Sequence, residues 1–146
     1  MNTNNDSRFF GFDSFEGLPE TYKYTFLKSL PVGSFSTNGK TPDIDDKRVC
    51  FIKGYFQESL PEFLATFKKK ADRLIIHLDA DLYTATLFVL TSLNDLIEPQ
   101  TIIIFDEFFS VNHEFSAFLD YTSSFAKKYK VLAMTKFYKE VAIEIS

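Results

Sequence analysis

Two stretches of this sequence share one pattern, in which a short apolar run ends in carboxylates. They are residues 74–81, which end in Asp79-Ala80-Asp81, and residues 101–107, which end in Asp106-Glu107. Each run predicts a buried β-strand, and the helix-period segment that begins at Thr84 predicts the crossover helix of two parallel strands. Because parallel strands end at the same edge of a sheet, where α/β folds bind ligands, we expect these carboxylates to converge on one ligand site.

The periodicity of the rest of the chain predicts an α/β domain. We expect further strands near residues 8–13, 48–52, 130–134 and 141–145, and helices over residues 59–70, 84–96 and 114–129. The last two strands are joined by a short connection, which favours an antiparallel pair. Residues 20–47 lack a period; within them, residues 22–30 are interpreted as a short helix that Pro31 stops, and the remainder as a lid over the ligand site or a mobile loop.

The start of one helix and the buried face of another can be predicted in more detail. Ser59 is a suitable N-cap for the first helix, because Pro61 then falls in the first turn and Glu62 lies three residues after the cap. In the third helix, the inward-facing stripe is predicted from helical spacing. Its members are Phe115, Phe118, Leu119, Phe125 and Tyr129.

Composition narrows the class of protein. The 146 residues carry a net charge of −4 with scattered Lys and Arg, which argues against a nucleic-acid partner. No apolar run reaches the roughly 18 residues of a membrane span, so we expect no membrane partner. One cysteine cannot form an internal disulfide, and the polar start lacks the apolar stretch of a signal peptide; both features favour a cytoplasmic protein.

Five blocks, in order along the chain, resemble successive blocks of the macrocin O-methyltransferase family. They are residues 11–19 (GFDSFEGLP), 54–61 (GYFQESLP), 77–83 (HLDADLY), 103–108 (IIFDEF) and 113–115 (HEF). That family consists of class I S-adenosylmethionine-dependent methyltransferases. The resemblance implies a Rossmann-like, mostly parallel sheet with an antiparallel C-terminal strand. It also implies a metal-assisted O-methyltransferase that acts on a hydroxyl of a sugar or other small polar metabolite.

The resemblance also assigns candidate cofactor residues. Asp13, with Ser14 beside it, matches the position that holds the ribose of S-adenosylmethionine, and Tyr55 and Phe56 match residues that cover the adenine. An acid at a strand end can accept hydrogen bonds from ribose hydroxyls, although a turn-forming Asp explains the pattern equally well.

For the metal and the catalytic step, the resemblance points to the two strand ends. Asp79, Asp106 and Glu107 match the ligands of a divalent cation, although Glu107 stands where Asp or Asn is commoner. Oxygen ligands suit Mg²⁺, which would favour the deprotonated form of the substrate hydroxyl and aim it at the methyl group. Asp79 is therefore also a candidate catalytic residue. His113 is a candidate general base or, alternatively, a polar cap of the helix that begins at Glu114.

One element that the resemblance leads us to expect is absent from the sequence. The glycine-rich loop that holds the methionine part of the cofactor in class I methyltransferases has no counterpart here, and seven polar residues precede the first strand. We therefore expect residues 1–146 to be a single, N-terminally truncated domain that lacks the first strand and helix and transfers no methyl group by itself. Because such a gap exposes two apolar strand edges, we also expect a homodimer.

Two other classes of function stay open. The chain can be a non-catalytic remnant that binds a nucleoside or a protein partner, or a phosphoryl-transfer or hydrolytic α/β protein with a Mg²⁺ cluster at Asp79, Asp81 and Asp106. The sequence contains neither a P-loop nor a nucleophile elbow, which weighs against the second alternative.

Overall fold

The computed structural model describes residues 6–23, 27–69 and 73–146. The strands there are β1 (Phe9–Asp13), β2 (Tyr22–Lys23), β3 (Ser29–Leu30), β4 (Val49–Lys53), β5 (Ile75–Leu78), β6 (Ile102–Phe105), β7 (Tyr129–Met134) and β8 (Val141–Ile145). The helices are α1 (Phe56–Thr66), α2 (Tyr83–Ser92) and α3 (Glu114–Ser124), with a short 3₁₀ turn over Asn94–Leu96. These elements confirm the α/β class.

The chain divides into two compact units. The first comprises Met1–Thr21 and Leu30–Ala71, and the second comprises Tyr22–Ser29 and Asp72–Ser146. The single domain over residues 1–146 that the sequence predicts stays a prediction. None of the helices in the described residues has the length and apolarity to cross a membrane.

The first unit contains the parallel strands β1 and β4 and the helix α1. The register pairs Asp13 with Lys53, so the two strands end at the same edge. Phe10 and Phe12 alternate onto one face of β1, where both rings contact Phe63 at centroid distances of 5.0 and 5.1 Å. This aromatic contact attaches α1 to the strand pair.

The second unit contains a four-stranded sheet in the order β5-β6-β8-β7. β5 and β6 are parallel and pair Ile76 with Ile103, which confirms the prediction from the two strand–carboxylate stretches. β8 lies antiparallel to β6 and to β7, which confirms the predicted antiparallel pair at the end of the chain. Among the described strands, β1 and β5 each have one hydrogen-bonded neighbour and so end their sheets.

The core of the second unit is formed by β6 and β8 together with the two helices. β6 alternates, and its side chains Ile103 and Phe105 are fully buried. Phe105 contacts Phe118 of α3 at 5.4 Å, and α3 packs against α2. These buried contacts hold the carboxyl ends of β5 and β6 on a rigid base, because well-packed core side chains leave little freedom to the strands that carry them.

The helix predicted over residues 22–30 is wrong. The described residues in this segment form the two short strands β2 and β3 instead. Tyr22 is 2% exposed, and its hydroxyl is hydrogen-bonded to side chains 85 and 88 residues further along the chain. Long-range contacts of this kind override weak local propensity, and sequence periodicity cannot reveal them.

The predicted start of the first helix is also wrong. α1 begins at Phe56, so Ser59 lies inside it, and the Ser59 hydroxyl donates to the Tyr55 carbonyl at 3.0 Å instead of capping the helix. Pro61 is therefore an interior residue. Its missing N–H cannot donate to the carbonyl of Gln57, and the preceding Leu60 is buried.

The third helix is shorter than predicted. α3 ends at Ser124, and Ala126 adopts a positive φ of 50°, which takes the following residues out of the helical period. Of the predicted buried stripe, Phe118 is buried, whereas Leu119, Phe125 and Tyr129 are exposed. The side chains of α3 that are buried are Glu114, Ala117, Phe118, Tyr121 and Thr122.

Candidate functional site

The candidate cofactor residues all lie in the first unit, at the edge where β1 and β4 end. Asp13 is the last residue of β1, and its carbonyl accepts a hydrogen bond from Gly54 N at 3.0 Å. This bond places Asp13 beside the segment that carries Tyr55 and Phe56. The four predicted residues therefore share one edge of this unit, as expected of residues that bind one ligand.

The side chains of Asp13 and Ser14 have local hydrogen bonds. Asp13 Oδ1 accepts from Phe15 N at 2.6 Å, which is the turn-forming role that the sequence left as an alternative. Ser14 Oγ accepts from Glu16 N at 3.1 Å and donates to the Gly17 carbonyl at 3.3 Å. These bonds shape the turn after β1, and the ribose role of both residues stays a prediction.

Tyr55 and Phe56 mark the start of α1. Tyr55 is the N-cap residue and its side chain is 40% exposed, while Phe56 is half-buried. Gly54, which precedes them, has a backbone φ of 142°, which residues with a side chain rarely adopt. The sharp turn at this glycine presents an exposed aromatic ring at the strand edge, where it can cover a planar ligand ring.

The predicted carboxylates converge in the second unit. Asp79 and Asp81 follow β5, Asp106 and Glu107 follow β6, and Asp106 N donates to the Leu78 carbonyl at 3.0 Å. We call these four carboxylates the acidic edge. Burial and the nearby Asp106 carboxylate raise the pKa of Asp79, which is the effect expected of like charges brought together.

Asp81 is the most perturbed carboxylate of the acidic edge. Burial, followed by the charges of Glu107, Asp79 and Asp106, raises its pKa to about 6. Its backbone φ of 56° is unusual for a non-glycine residue and forms the tight turn between β5 and α2. The crowding of carboxylates at the acidic edge thus disfavours the charged form of Asp81.

The three predicted metal ligands, Asp79, Asp106 and Glu107, have the oxygen donors that Mg²⁺ prefers, but their side chains are not arranged to share one ion. Across residues 6–23, 27–69 and 73–146, no three His, Cys, Asp or Glu side chains lie close enough together to hold a metal ion. Glu107 Oε2 accepts a hydrogen bond from Tyr22 at 2.6 Å, and Asp106 Oδ2 lies 3.9 Å from Lys139 Nζ. In this arrangement the carboxylates do not fit Mg²⁺, which needs oxygen ligands in near-octahedral geometry.

Tyr22 is a site residue that sequence analysis missed. Its buried hydroxyl donates to Glu107 Oε2 and contacts Ser110 Oγ at 3.2 Å. Burial and the hydrogen bond to Glu107 raise its pKa. An aromatic residue in an irregular segment gives no sequence signal for such a contact, because the partners follow β6, far along the chain.

His113 lies at the acidic edge with both ring nitrogens engaged. Nε2 is 2.9 Å from the Lys23 carbonyl, so this nitrogen carries the proton, and Nδ1 accepts from Tyr83 N at 3.4 Å. The ring also packs edge-on against Tyr22 at 4.6 Å. His113 precedes α3, but its side chain makes no capping bond. Its role as a general base stays a prediction that requires one nitrogen to leave its backbone partner.

Glu114 is the second residue that sequence analysis missed. It is the first residue of α3 and is completely buried. Oε1 accepts from Ala80 N at 3.3 Å, and Oε2 accepts from Glu107 N at 3.1 Å. Burial raises its pKa to about 7, against the lowering effect of these two hydrogen bonds. A Glu in the first turn of a helix is usually a solvated partner of the helix dipole, so its sequence position gave no hint of this contact.

Comparison with known proteins adds a family and a fold. The family model of macrocin O-methyltransferases (TylF) matches residues 1–131. Among solved structures, the O-methyltransferase NovP is similar, with a TM-score of 0.63 and 22% sequence identity over 95% of this chain and 60% of NovP. No curated protein sequence matches the chain. The likeness to NovP concerns the fold, and this chain spans about three fifths of that protein.

Proposed function

We propose that this chain, which belongs to the macrocin O-methyltransferase family, supplies the nucleoside-binding and acidic residues of a class I, S-adenosylmethionine-dependent O-methyltransferase. The acceptor would be a hydroxyl of a sugar or other small polar metabolite. One observation carries the proposal: carboxylates converge at the neighbouring ends of the parallel strands β5 and β6. Ligands bind at such strand ends in Rossmann-like sheets, the fold type that we propose for the chain.

The residues of the first unit suit the nucleoside half of the cofactor. Asp13 provides a carboxylate for the ribose hydroxyls, with Ser14 beside it, and the exposed ring of Tyr55, with Phe56, provides an apolar cover for adenine. When bound, S-adenosylmethionine supplies the methyl group that passes to the substrate oxygen as the carbon–sulfur bond breaks. The contribution of these residues would be to bind and orient the nucleoside, and holding a reactant in place accounts for a large part of such a rate enhancement.

The acidic edge suits a hydroxyl substrate. Carboxylate oxygens accept hydrogen bonds, so Asp79 can hold the substrate through a hydroxyl next to the one that reacts, leaving the proton of the reacting hydroxyl for a separate base. His113 is the candidate that we propose for removing the proton of the reacting hydroxyl: Nδ1 would accept it after leaving the Tyr83 N–H, since Nε2 already carries a proton. Mg²⁺ assistance through Asp79, Asp106 and Glu107 belongs to the proposal as well, but no step is assigned to it because the carboxylates do not fit the ion as they are arranged.

A second function, binding without catalysis, is favoured by one observation. The 146 residues contain no glycine-rich turn of the kind that holds the methionine half of the cofactor in the family. Losing two or three charged hydrogen bonds, at about 1.5–3 kcal/mol each, removes about 3–9 kcal/mol and weakens a micromolar affinity to roughly 0.2 mM or beyond. We therefore expect this chain alone to bind the nucleoside part weakly and to transfer no methyl group.

Titration calorimetry with adenosine and with S-adenosylmethionine tests the proposal. Wild type should bind both weakly. Asp13→Asn should weaken adenosine binding at least about fivefold, because the Asn side chain still has an oxygen that can accept from Phe15 N but no longer has a negative charge for the ribose hydroxyls. Asp45→Asn, an exposed acid of the same unit, is the matched control and should leave binding unchanged. Micromolar binding of S-adenosylmethionine would contradict the expected weak binding. Adenosine binding that Asp13→Asn leaves as strong as in wild type would overturn the nucleoside site.

A homodimer and a cytoplasmic location are also part of the proposal. Two of the strands at sheet edges carry large exposed apolar side chains, with Phe9 on β1 49% exposed and Ile75 on β5 58% exposed. Apolar strand edges of this kind favour pairing with a second copy of the chain. The single cysteine suits a reducing compartment such as the cytoplasm.

A further inference from the structure

Glu114 has a combination of features that the proposed chemistry does not use. It is a carboxylate with no exposed surface, located at the first residue of α3. Removing a carboxylate from water is unfavourable unless hydrogen bonds replace the lost hydration. An acid that served only to complement the helix dipole would keep its favourable effect at the surface, so the burial of Glu114 needs another explanation.

The hydrogen bonds of Glu114 connect the two loops of the acidic edge. Oε1 accepts from Ala80 N, in the loop between Asp79 and Asp81, and Oε2 accepts from Glu107 N, directly after Asp106. The two distances, 3.3 and 3.1 Å, fix both loops relative to one rigid side chain. The sheet itself ties β5 to β6 as far as Asp106 N, and Glu114 continues this connection beyond the strand ends.

The geometry requires a side chain with two acceptors and no donor. Both partners are backbone N–H groups, so a Gln would present its NH₂ group to one of them and lose that bond. Alanine would leave both N–H groups without this acceptor. Carboxylate is therefore the side chain that can satisfy both loops at once, which accounts for a buried acid at this position.

We propose that Glu114 is the positioning residue of the acidic edge, setting the separation between the loop of Asp79 and Asp81 and the loop of Asp106 and Glu107. It acts through the backbone and touches no reactant. The inference deepens the proposed function, on which it rests for the purpose of the acidic edge, but the positioning itself can be tested without substrate or cofactor.

The test uses the full chain and three variants, Glu114→Gln, Glu114→Ala and Thr122→Ala. Thr122 is the matched control because it is a buried polar residue of α3 whose hydroxyl bonds only to carbonyls of its own helix. Hydrogen exchange by nuclear magnetic resonance follows the amides of Ala80 and Glu107. We expect Glu114→Gln to reduce the protection of one of them about tenfold, and Glu114→Ala to reduce both by at least that factor.

The second readout is Mn²⁺ binding, measured by electron paramagnetic resonance. Mn²⁺ binding would require Glu107 to leave Tyr22. If wild type binds Mn²⁺ in this way and Glu114 sets the separation of the loops, both Glu114 variants should bind it about tenfold more weakly than Thr122→Ala. A general loss of stability would instead reduce the protection of amides throughout the sheet, and not only of Ala80 and Glu107.

Unchanged protection at Ala80 and Glu107 in Glu114→Gln would overturn the proposal, and so would equal loss in Thr122→Ala. If Glu114→Ala does not fold, the isosteric Gln variant decides the question. If wild type binds no Mn²⁺, the metal part of the proposed function fails, while the amide exchange still supports or overturns the positioning role. Failure of the two ideas is therefore distinguishable.

Discussion

Tyr22→Phe should have opposite effects on stability and on cation binding. The substitution removes one oxygen atom from a residue that is 2% exposed and leaves the ring contact with His113 in place. The hydroxyl donates to the Glu107 carboxylate at 2.6 Å, so this change breaks a buried hydrogen bond to a charged acceptor. It also releases Glu107, a predicted metal ligand, from the contact that holds it.

The magnitude follows from the kind of hydrogen bond. A bond to a charged group contributes about 1.5–3 kcal/mol, and Glu107 is half-buried, so water recovers part of the loss. We expect the free energy of unfolding to fall by about 1–2 kcal/mol, which for a chain of this size lowers Tm by about 2–8 °C. Divalent cation affinity should rise, because the cation no longer competes with the phenol for Glu107.

Tyr121→Phe is the matched control. Tyr121 is also fully buried, but its hydroxyl donates to a neutral acceptor, Asn94 Oδ1, at 3.2 Å, away from the acidic edge. Its loss should lower stability by about 0.5–1.5 kcal/mol and leave cation binding unchanged. Urea unfolding and Mn²⁺ titration of wild type and both variants give the two quantities.

The Mn²⁺ titration can refute the idea that Tyr22 competes with a cation for Glu107. If Tyr22→Phe binds Mn²⁺ as wild type does, or more weakly, Tyr22 does not withhold Glu107 from the ion. A weaker affinity would instead make Tyr22 a residue that orients a ligating carboxylate, a common arrangement around metal sites.

Three further predictions concern charge, metal and assembly. Burial raises the pKa of Tyr121 from 10.0 to about 12. Its neutral form therefore stabilises the folded state fully below pH 10, and this stabilisation is lost as the pH rises through 12. In urea unfolding, the stability of wild type relative to Tyr121→Phe should fall by about 2 kcal/mol between about pH 9 and pH 12. Because Glu107 would first have to leave Tyr22, titration calorimetry with Mg²⁺ should give only weak heats, which Asp79→Asn abolishes; equal heats from both proteins would remove the metal site. Sedimentation equilibrium at micromolar concentration should show a dimer that Ile75→Lys converts to a monomer, whereas a monomeric wild type would contradict the assembly.

The strand ends of both units could be predicted from sequence because their signals are local. An apolar run that stops at Asp79 or Asp106 marks both the strand and its carboxyl end, and the adjacent parallel pairing of β5 and β6 follows from the helical segment between them. The same logic identified β1 ending at Asp13. The signal for each strand end lies within about ten residues, the range over which periodicity and turn chemistry act, and the pairing of β5 with β6 needs in addition only the helix between them.

The missed residues depend on contacts between distant parts of the chain. Tyr22 was assigned to a helix because Pro31 stops a short segment, yet its position is set by Glu107 and Ser110. Glu114 was correctly placed at the start of a helix, but whether an acid in a first turn faces water or the interior depends on tertiary packing. Side-chain orientation at helix ends is therefore the part of the site that sequence periodicity leaves undetermined.

Glu107 differs from the residues that are usual at this position of the family, and it is bonded to both residues that sequence analysis missed, Tyr22 and Glu114. The resemblance makes Asp or Asn commoner at this position, and the glutamate here has one more methylene group than Asp. Its backbone N–H is held by Glu114 at 3.1 Å, which fixes the start of the side chain, while its Oε2 accepts from Tyr22 at 2.6 Å. An aspartate anchored at the same backbone position would end about 1.5 Å short of that hydroxyl, too far for a normal hydrogen bond. The longer acid thus joins β2 to the acidic edge, and the same bond directs its carboxylate to a phenol instead of a shared ligand set with Asp79 and Asp106.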